Sequence, residues 1–184
     1  MGKIIRTSPN NMRKAIDTAI ENASTIVAKV GYFPSAKYTD GNSIAYVASI
    51  QEYGVPSKSI PPRPFFRPTA DRRMGAWKQV FAYKVKEFMQ GRGFAKDAFD
   101  TIGLMAAGEI RQAISEVNDP PLSPITILAR KYKKAGGVVT GKTIGMFAAQ
   151  LKANPGMDLS GVSVKPLIDT GAMQAHLTNV TEPK

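Results

Sequence analysis

The chain of 184 residues contains no cysteine and only one histidine. Without cysteine it has no disulfide, no thiolate nucleophile and no cysteine-ligated zinc or iron–sulfur site. The single histidine, His176, excludes a metal centre built from several histidines. The length suits one compact domain, because domains usually hold roughly 100–200 residues. These absences exclude many classes of enzyme, and we expect no cofactor.

Long apolar runs are also missing. The most apolar stretch, residues 101–108, is followed at once by Glu109 and Arg111, whereas a helix needs about 20 apolar residues to span a bilayer. The first residues are charged or polar, unlike those of a signal peptide. We therefore expect a protein that is made in the cytoplasm and has no membrane partner.

Positive charge exceeds negative charge by 11, and the excess is concentrated in residues 55–93, which hold nine basic and two acidic residues. Such a region can face phosphates, acidic proteins or solvent. No helix-turn-helix or aromatic stacking pattern accompanies it, which favours a solvated face or an acidic protein partner over a sequence-specific nucleic-acid reader. This basic region includes Arg63, Arg67, Arg72, Arg73, Lys78, Lys84, Lys86 and Arg92.

Apolar periodicity and capping signals predict a chain of mixed α and β structure. Helices alternate with loops, and strands are predicted near the two ends of the chain. In chain order the predicted elements are a helix that begins at Ser8–Pro9 and includes Met12, Ile16, Ala19, Ile20 and Ala23, a strand over 25–33, helices over 44–53, 71–90, 94–118, 123–135 and 142–153, and a turn followed by a terminal strand.

These elements predict an α+β fold. An antiparallel sheet, made of the Thr25 region and the C-terminal strand, packs against two long amphipathic helices over 71–90 and 94–118. Residues 136–164 contain six glycines and predict a long glycine-rich loop. We interpret this loop as a flexible insertion in a single domain that covers residues 1–184.

Residues 59–68 contain four prolines and predict a stiff extended strap, because proline fixes φ and lacks an amide hydrogen. The strap also fits a PxxP ligand pattern, which is degenerate. Since a helix follows directly, we prefer an architectural role in which Phe65 and Phe66 anchor the strap in the core.

Residues 136–143 read GGVVTGKT and match the phosphate-loop pattern GxxxxGK(S/T). That mechanism needs a buried strand before the loop, so that backbone amides and a helix N-terminus converge on the phosphates. Here a lysine-rich helix is predicted instead, and the 41 residues after Thr143 are too few for the required parallel sheet. We therefore interpret the segment as a glycine-rich loop without nucleotide.

Candidate catalytic groups are weak. His176 with Ser160 or Ser163 and Asp169 has the residue types of a nucleophilic triad, but no nucleophile-elbow pattern accompanies them. The acidic pairs Asp97/Asp100 and Glu109/Glu116 lie on predicted helices with basic neighbours, where acids usually serve as ion-pair partners. The sequence predicts a protein that is not an enzyme.

Three blocks of residues, in a fixed order, resemble one family. The first contains Glu52-Tyr53-Gly54 and the run Ile60-Pro61-Pro62-Arg63-Pro64-Phe65-Phe66-Arg67-Pro68, the second contains Pro121-Leu122-Ser123-Pro124, Thr126 and Arg130, and the third is Lys165-Pro166-Leu167-Ile168-Asp169-Thr170-Gly171 with Met173. Together they resemble the tail-completion, or head-to-tail joining, proteins of tailed bacteriophages, which are also called neck or virion morphogenesis proteins. The resemblance covers most of residues 44–180.

The resemblance implies a structural virion protein, assembled in the bacterial cytoplasm, that forms a ring, generally sixfold, in the neck and joins the DNA-filled head to the tail. The implied partners are further copies of the chain, the head connector or stopper, the tail terminator or tail-tube proteins, and viral DNA that passes without tight binding. The implied family-motif or ring-interface residues are Glu52, Gly54, Pro61, Pro62, Arg63, Pro64, Phe65, Arg67, Arg130, Lys165, Pro166, Leu167, Asp169, Thr170 and Gly171. Two alternatives stay open: a tail terminator that caps the tail tube, and a non-specific DNA-binding protein that uses the basic region.

Overall fold

The computed structural model describes residues 13–14, 17–18, 20–21 and 24–184. In this part of the chain the structure is α+β, with one two-stranded antiparallel sheet and six α-helices whose first and last residues are both described. The elements are β1 (Ile26–Gly31), α1 (Ile44–Tyr53), α2 (Arg67–Met89), α3 (Ala95–Glu116), α4 (Pro124–Lys134), α5 (Gly141–Ala153), α6 (Ala172–His176) and β2 (Thr178–Pro183), with a short 3₁₀ turn at Pro56–Lys58.

The chain divides into two compact units. The first comprises the described residues up to Phe33 together with Arg67–Ile110 and Leu177–Lys184, and the second comprises Pro34–Phe66 and Arg111–His176. The buried apolar residues of the first unit are Trp77, Ala98, Ala106, Ala107, Ile110 and Leu177. Those of the second are Ala36, Ile44, Ala48, Phe65, Ala113, Ile114, Ile127, Leu128, Phe147, Leu167 and Met173.

The sheet of the first unit pairs β1 with β2 in a register that joins Ile26 to Pro183 and Gly31 to Thr178. Helix α3 approaches β2 closely at Gly103, where an added Cβ would lie 2.8 Å from the Asn179 side-chain nitrogen. Only a residue without a side chain permits this approach. The predicted pairing of the Thr25 region with the C-terminal strand is therefore present in the structure.

A polar cluster joins α2 to α3 within the same unit. The Glu109 carboxylate accepts hydrogen bonds from the Arg73 guanidinium and from Trp77 Nε1, the latter at 2.6 Å. Phe81 and Phe99 pack edge to face beside it, with ring centroids 5.1 Å apart. Trp77 is one of only two buried residues of the 23-residue α2, and its indole nitrogen bonds to Glu109 of α3.

Helices of the second unit begin and end at residues with clear capping chemistry. Ser43 caps α1 by accepting from Tyr46 N, and Ser123 caps α4 by accepting from Thr126 N, with Pro124 in the first turn. Helix α5 packs on α4 through Tyr132 and Phe147, whose ring centroids are 5.6 Å apart. Helices are present where the sequence predicts them over 44–53 and 123–135, and α4 begins at Ser123 and Pro124 as predicted, whereas the Ser43 cap was not predicted.

Two expectations differ from the structure, and a third lies partly outside the described residues. Helix α2 begins at Arg67, four residues before the predicted start, because a proline such as Pro68 is tolerated in the first helical turn. The segment 172–176, predicted as a turn, forms the short helix α6. The capping residues Ser8–Pro9 of the predicted first helix, with Met12, Ile16, Ala19 and Ala23 of its apolar stripe, lie outside the described residues. The described residues from Arg13 to Ser24 are helical.

Among the described residues, no helix combines the length and apolar character that crossing a membrane requires.

We expect Glu109→Gln to lower the free energy of unfolding at neutral pH by about 1–2 kcal/mol, because one of two hydrogen bonds to the carboxylate is lost. The hydrogen bond from Arg73 lowers the pKa of Glu109 below its ordinary value. A group whose pKa is lowered by folding stabilises the protein above its unfolded pKa of about 4.3 and loses this effect as pH falls through the folded pKa. The difference in the free energy of unfolding between wild type and Glu109→Gln should therefore become smaller below about pH 4.

Trp77 is the only tryptophan, so its fluorescence during urea unfolding at pH 7 and pH 4 measures this effect. Glu116→Gln, at an exposed carboxylate of α3, is the control. Equal stability of Glu109→Gln and wild type at pH 7 would contradict the prediction.

Candidate functional site

The buried carboxylate of Glu52 ties α1 to the segment that follows it. Its side chain lies at the end of α1 and is 5% exposed. One oxygen, Oε2, accepts hydrogen bonds from the backbone N–H groups of Phe65 at 2.8 Å and Phe66 at 2.9 Å. Extended segments leave such groups without partners, so Glu52 supplies the acceptor that the strap lacks.

Gly54 makes the close return of the chain possible. It ends α1 with a φ of 71°, in the left-handed region that favours glycine. A Cβ there would lie 2.7 Å from Pro62 N and 2.8 Å from Ile60 O. The turn closes with hydrogen bonds between Val55 and Ile60, so any side chain at this position would displace the strap backbone.

Arg63 is buried rather than part of an exposed basic surface. Side chains alternate along the extended run, with Arg63 and Phe65 buried while Pro62 and Pro64 are exposed. The Arg63 backbone N–H donates to Gln51 O at 2.6 Å. This placement corrects the sequence interpretation, which counted Arg63 with the basic region.

The Arg63 guanidinium binds a distant loop of the same unit. Nε donates to Pro120 O at 2.7 Å, and Nη2 donates to Pro121 O at 3.0 Å. Burial lowers the pKa of Arg63, the positive charge of Arg130 lowers it further, and Asp119 opposes the shift. Arg63 therefore joins the first motif block to the start of the second through backbone carbonyls.

Arg130 of α4 organises the third block in the same way. Its Nη1 donates to Ser163 O at 2.8 Å, to Lys165 O at 2.9 Å and to Ile168 O at 3.0 Å, and Nη2 donates to Pro166 O at 3.1 Å. Burial lowers the pKa of Arg130, although the nearby carboxylate of Asp169 opposes this shift. A planar guanidinium with several fixed donors suits this fan of carbonyls better than an ammonium group.

The closing segment is also fixed by its own residues. Pro166 and Leu167 are buried, and Lys165 Nζ donates to Ser115 O at 2.7 Å. The Thr170 hydroxyl accepts from Ala172 N at 3.3 Å, just before α6 begins. The third block is therefore held between α3 residues of this unit and α4.

A cleft of about 400 Å³ opens beside Arg130. Asp169 lies 3.6 Å from Arg130 Nε, and Asp40 lies 4.0 Å from Lys133 Nζ. Burial raises the pKa of Tyr38, and the charges of Asp169 and Asp40 raise it further. Other residues that line the cleft are Val47, Ala129, Val139, Pro166, Leu167, Thr170, Gly171 and Met173.

The structure thus brings most of the predicted motif residues into one unit. Arg67 differs, since it begins α2 and belongs to the other unit. Sequence reasoning missed Tyr38, Asp40 and Gln51, and their local sequence carries no signal apart from the Asp40–Gly41 turn. Pro61 lies on the exposed side of the strap. Gly171 lies immediately before α6.

The phosphate-loop pattern forms a helix cap. Thr143 N donates to Thr140 Oγ1 at 3.3 Å, and Thr140 N donates to Thr143 Oγ1 at 2.7 Å. The Thr143 hydroxyl in turn donates to Thr140 O. The element before the loop is helix α4 and not a strand. The buried strand that the phosphate-loop mechanism requires is therefore not present before this loop.

His176, Ser160 and Ser163 of the candidate triad each have a nearby hydrogen-bond partner outside the triad. His176 Nδ1 lies 3.0 Å from Ala172 O, and the Ser160 hydroxyl donates to Asp158. The Ser163 hydroxyl accepts from its neighbour Lys165 N. Within the described residues, no group of three or more acidic or histidine side chains is placed to hold a metal ion.

We expect Glu52→Ala to lower the free energy of unfolding by about 2–5 kcal/mol, because two buried N–H groups lose their acceptor. Hydrogen exchange at Phe65 and Phe66, measured together with urea unfolding, checks this. Glu116→Ala, at an exposed carboxylate, should change stability by less than about 0.5 kcal/mol. Unchanged exchange at the two phenylalanines would show that Glu52 does not hold the strap.

We expect Arg130→Lys to lower the free energy of unfolding by about 2–4 kcal/mol. The planar guanidinium donates to four carbonyls, and the ammonium group of lysine cannot reproduce this set of donors. Proteolysis within 158–171 should become faster. Arg72→Lys makes the same substitution at an exposed site and serves as the control. If both variants resist proteolysis equally, the fan of carbonyls has no stabilising role.

Comparison of the chain with protein-family models, with curated proteins and with solved structures gives no match.

Proposed function

We propose that the protein is a structural subunit of a ring in the neck of a tailed bacteriophage, where it joins the DNA-filled head to the tail. One observation carries the proposal: the three blocks that resemble the family converge in one unit through Glu52, Arg63 and Arg130. Arg63 of the first block bonds to the Pro121 carbonyl of the second, and Arg130 of the second bonds to carbonyls of the third. Glu52 joins the two parts of the first block by accepting from Phe65 N and Phe66 N. The motif residues in which this chain resembles the family are thus residues that hold the fold of this unit together.

The chemistry of these residues favours assembly over catalysis. A buried side chain whose hydrogen bonds go to the backbone positions the chain, whereas a catalytic group must reach a reacting atom. The proline-rich strap and the closing segment gain fixed shapes from these bonds. Rigid surfaces of this kind bind a neighbour with little loss of conformational entropy.

A ring follows from repetition of one heterologous contact. Such a contact closes only when its rotation divides the circle, which for six subunits means one sixth of a turn. The proposal includes the finer architecture expected from the sequence: two long amphipathic helices against the sheet, the strap, and residues 136–164 as a flexible insertion. It also includes the head connector and the tail-tube or terminator proteins as neighbours.

One specific observation favours the DNA-binding alternative. Arg67, Arg72, Lys78 and Lys86 of α2 are exposed, as is Arg92 after it. By contrast, Arg73 bonds to Glu109 and Lys84 to Glu87. In the neck, tight phosphate binding would hinder the passage of DNA, so the proposal expects weak affinity that falls steeply with salt.

We expect the purified chain to associate into rings of about six subunits and to restore head-to-tail joining when it is added to heads and tails of a phage particle that lacks it. Light scattering and electron microscopy measure the ring, and the yield of joined particles measures function. The control is one variant with three substitutions at exposed basic residues, Arg72→Gln, Lys78→Gln and Lys86→Gln. It should join heads to tails as well as wild type does.

The same preparations distinguish the alternatives. Rings that cap tail tubes without any effect on joining would favour the tail terminator. A monomer that ignores tails, yet holds DNA at physiological salt until the three basic residues are replaced, would overturn the neck proposal in favour of DNA binding.

A further inference from the structure

The sheet of the first unit has an outer edge on each of its two strands. Within the described part of the chain, β1 pairs with β2 and with no other strand. The outer edge of a strand presents backbone N–H and C=O groups that can bind a strand of another chain. The register of the β1–β2 pair shows which residues carry these groups.

On β1 the outward backbone groups belong to alternate residues. Hydrogen-bonded and non-hydrogen-bonded pairs alternate along an antiparallel ladder. Lys184 N donates to Thr25 O at 2.6 Å, and these two residues extend the β1–β2 register by one position. Thr25 is therefore in a hydrogen-bonded pair, and the next residue is not. The N–H and C=O groups of Ile26, Ala28 and Val30 consequently point to the outer edge.

On β2 the same alternation directs the backbone groups of Asn179, Thr181 and Pro183 outward. Proline has no N–H, and a position that faces away from the ladder is where a strand tolerates it. Among the described residues, no other backbone group bonds to the outward groups of either strand. The β1 edge thus offers three donors, and the β2 edge offers two.

Each strand carries one charged side chain. Lys29 of β1 and Glu182 of β2 form an ion pair, and their side chains are 56% and 42% exposed. Because side chains alternate along a strand, this pair lies on the face of the sheet opposite to Asn179, which meets Gly103 of α3. One face is therefore covered by α3, and the other carries the two charges.

These charges distinguish two ways of extending the sheet with a second copy of the chain. Antiparallel pairing of β1 with another β1, centred on Ala28, places Lys29 diagonal to the other copy's Lys29. Antiparallel pairing of β1 with another β2, in the register of the chain's own pair, places Lys29 diagonal to the other copy's Glu182. Diagonal neighbours are within reach of long side chains, and opposite charges are favourable where like charges are not.

We propose that β1 of one copy pairs with β2 of a second copy in an antiparallel sheet, with Ala28 opposite Thr181. The contact forms about five backbone hydrogen bonds, because two pairs of residues exchange two bonds each and Pro183 only accepts one. This inference rests on the proposed ring and names its repeating contact. The two edges differ, so the contact is heterologous and of the kind that generates a ring. A closed ring leaves no strand edge unpaired.

Cross-linking tests the contact directly, because the chain has no cysteine of its own. In the proposed sheet Lys29 faces Val180 of the other copy in a non-hydrogen-bonded pair, whose Cα atoms are about 4.5 Å apart, a distance that a disulfide spans. Chains with Lys29→Cys and chains with Val180→Cys are unfolded in urea, refolded together and oxidised. The mixed dimer should form at least about tenfold faster than with Leu104→Cys, at a residue 64% exposed on α3, in place of Val180→Cys. Equal rates would overturn the inference.

Oxidation of each single-cysteine chain alone is the control for pairing between identical strands. Lys29→Cys chains that dimerise with themselves as fast as they do in the mixture would indicate pairing of β1 with β1, and this result would also overturn the inference.

Association provides the second measurement. Ala28→Pro removes an N–H that points away from β2, so the chain's own ladder keeps its bonds and the wild-type Tm should be retained. Ring formation should weaken at least about tenfold. Ala28→Val retains the N–H and should form rings like wild type.

The outcomes separate this inference from the proposed function. If Ala28→Pro folds and forms rings like wild type, the inference fails and the neck proposal stands. If Ala28→Pro does not fold, the cross-linking rates decide. Mixed dimers from chains that never join heads to tails would support the sheet contact and overturn the neck proposal. If wild type neither forms rings nor binds tails, both fail.

Discussion

Backbone groups without secondary-structure partners are the constraint on which the second unit depends. Residues 61–66 of the strap and the closing segment 163–171 lie in neither a helix nor a sheet, yet both contain buried residues. Buried N–H and C=O groups must find partners, because leaving one unpaired costs about 1–3 kcal/mol. Glu52 meets this need in the strap and Arg130 meets it in the closing segment. Arg63 of the strap does the same for carbonyls of the loop at Pro120 and Pro121.

Burying these charges has a cost that their geometry offsets. An isolated buried ion is unfavourable by several kcal/mol, and the cost is recovered only when its hydrogen bonds are well satisfied. Arg130 reaches four carbonyls, and Arg63 reaches two carbonyls and a side-chain amide. The lowered pKa of each guanidinium reflects burial first. Each arginine thus fixes a segment more than 30 residues away along the chain.

This arrangement separates the residues that build the unit from those that meet a neighbour. The motif charges face the backbone of their own chain, so they specify shape. The side chains of Phe94, Tyr46 and Tyr53 are exposed, as are several basic residues of α2, and on the proposed function such exposed groups make the contacts with other molecules. On the proposed function, the resemblance in sequence marks a shared scaffold, while the exposed residues set which rings it touches.

The sequence by itself determined the local elements. Gly54 and Ser123 act on groups within about four residues, so these caps could be identified without tertiary information, whereas Ser43 was not identified. Apolar periodicity indicated two long helices, although α2 begins at Arg67 and not at residue 71. Residue composition and alternation indicated the two strands. The sequence did not determine that Arg63 is buried, that α2 is largely exposed, or that Tyr38 and Asp40 meet Arg130 at a cleft. Those outcomes depend on partners such as Pro120 and Ile168, 57 and 38 residues away from the arginines that bind them, and only the folded chain brings such partners together.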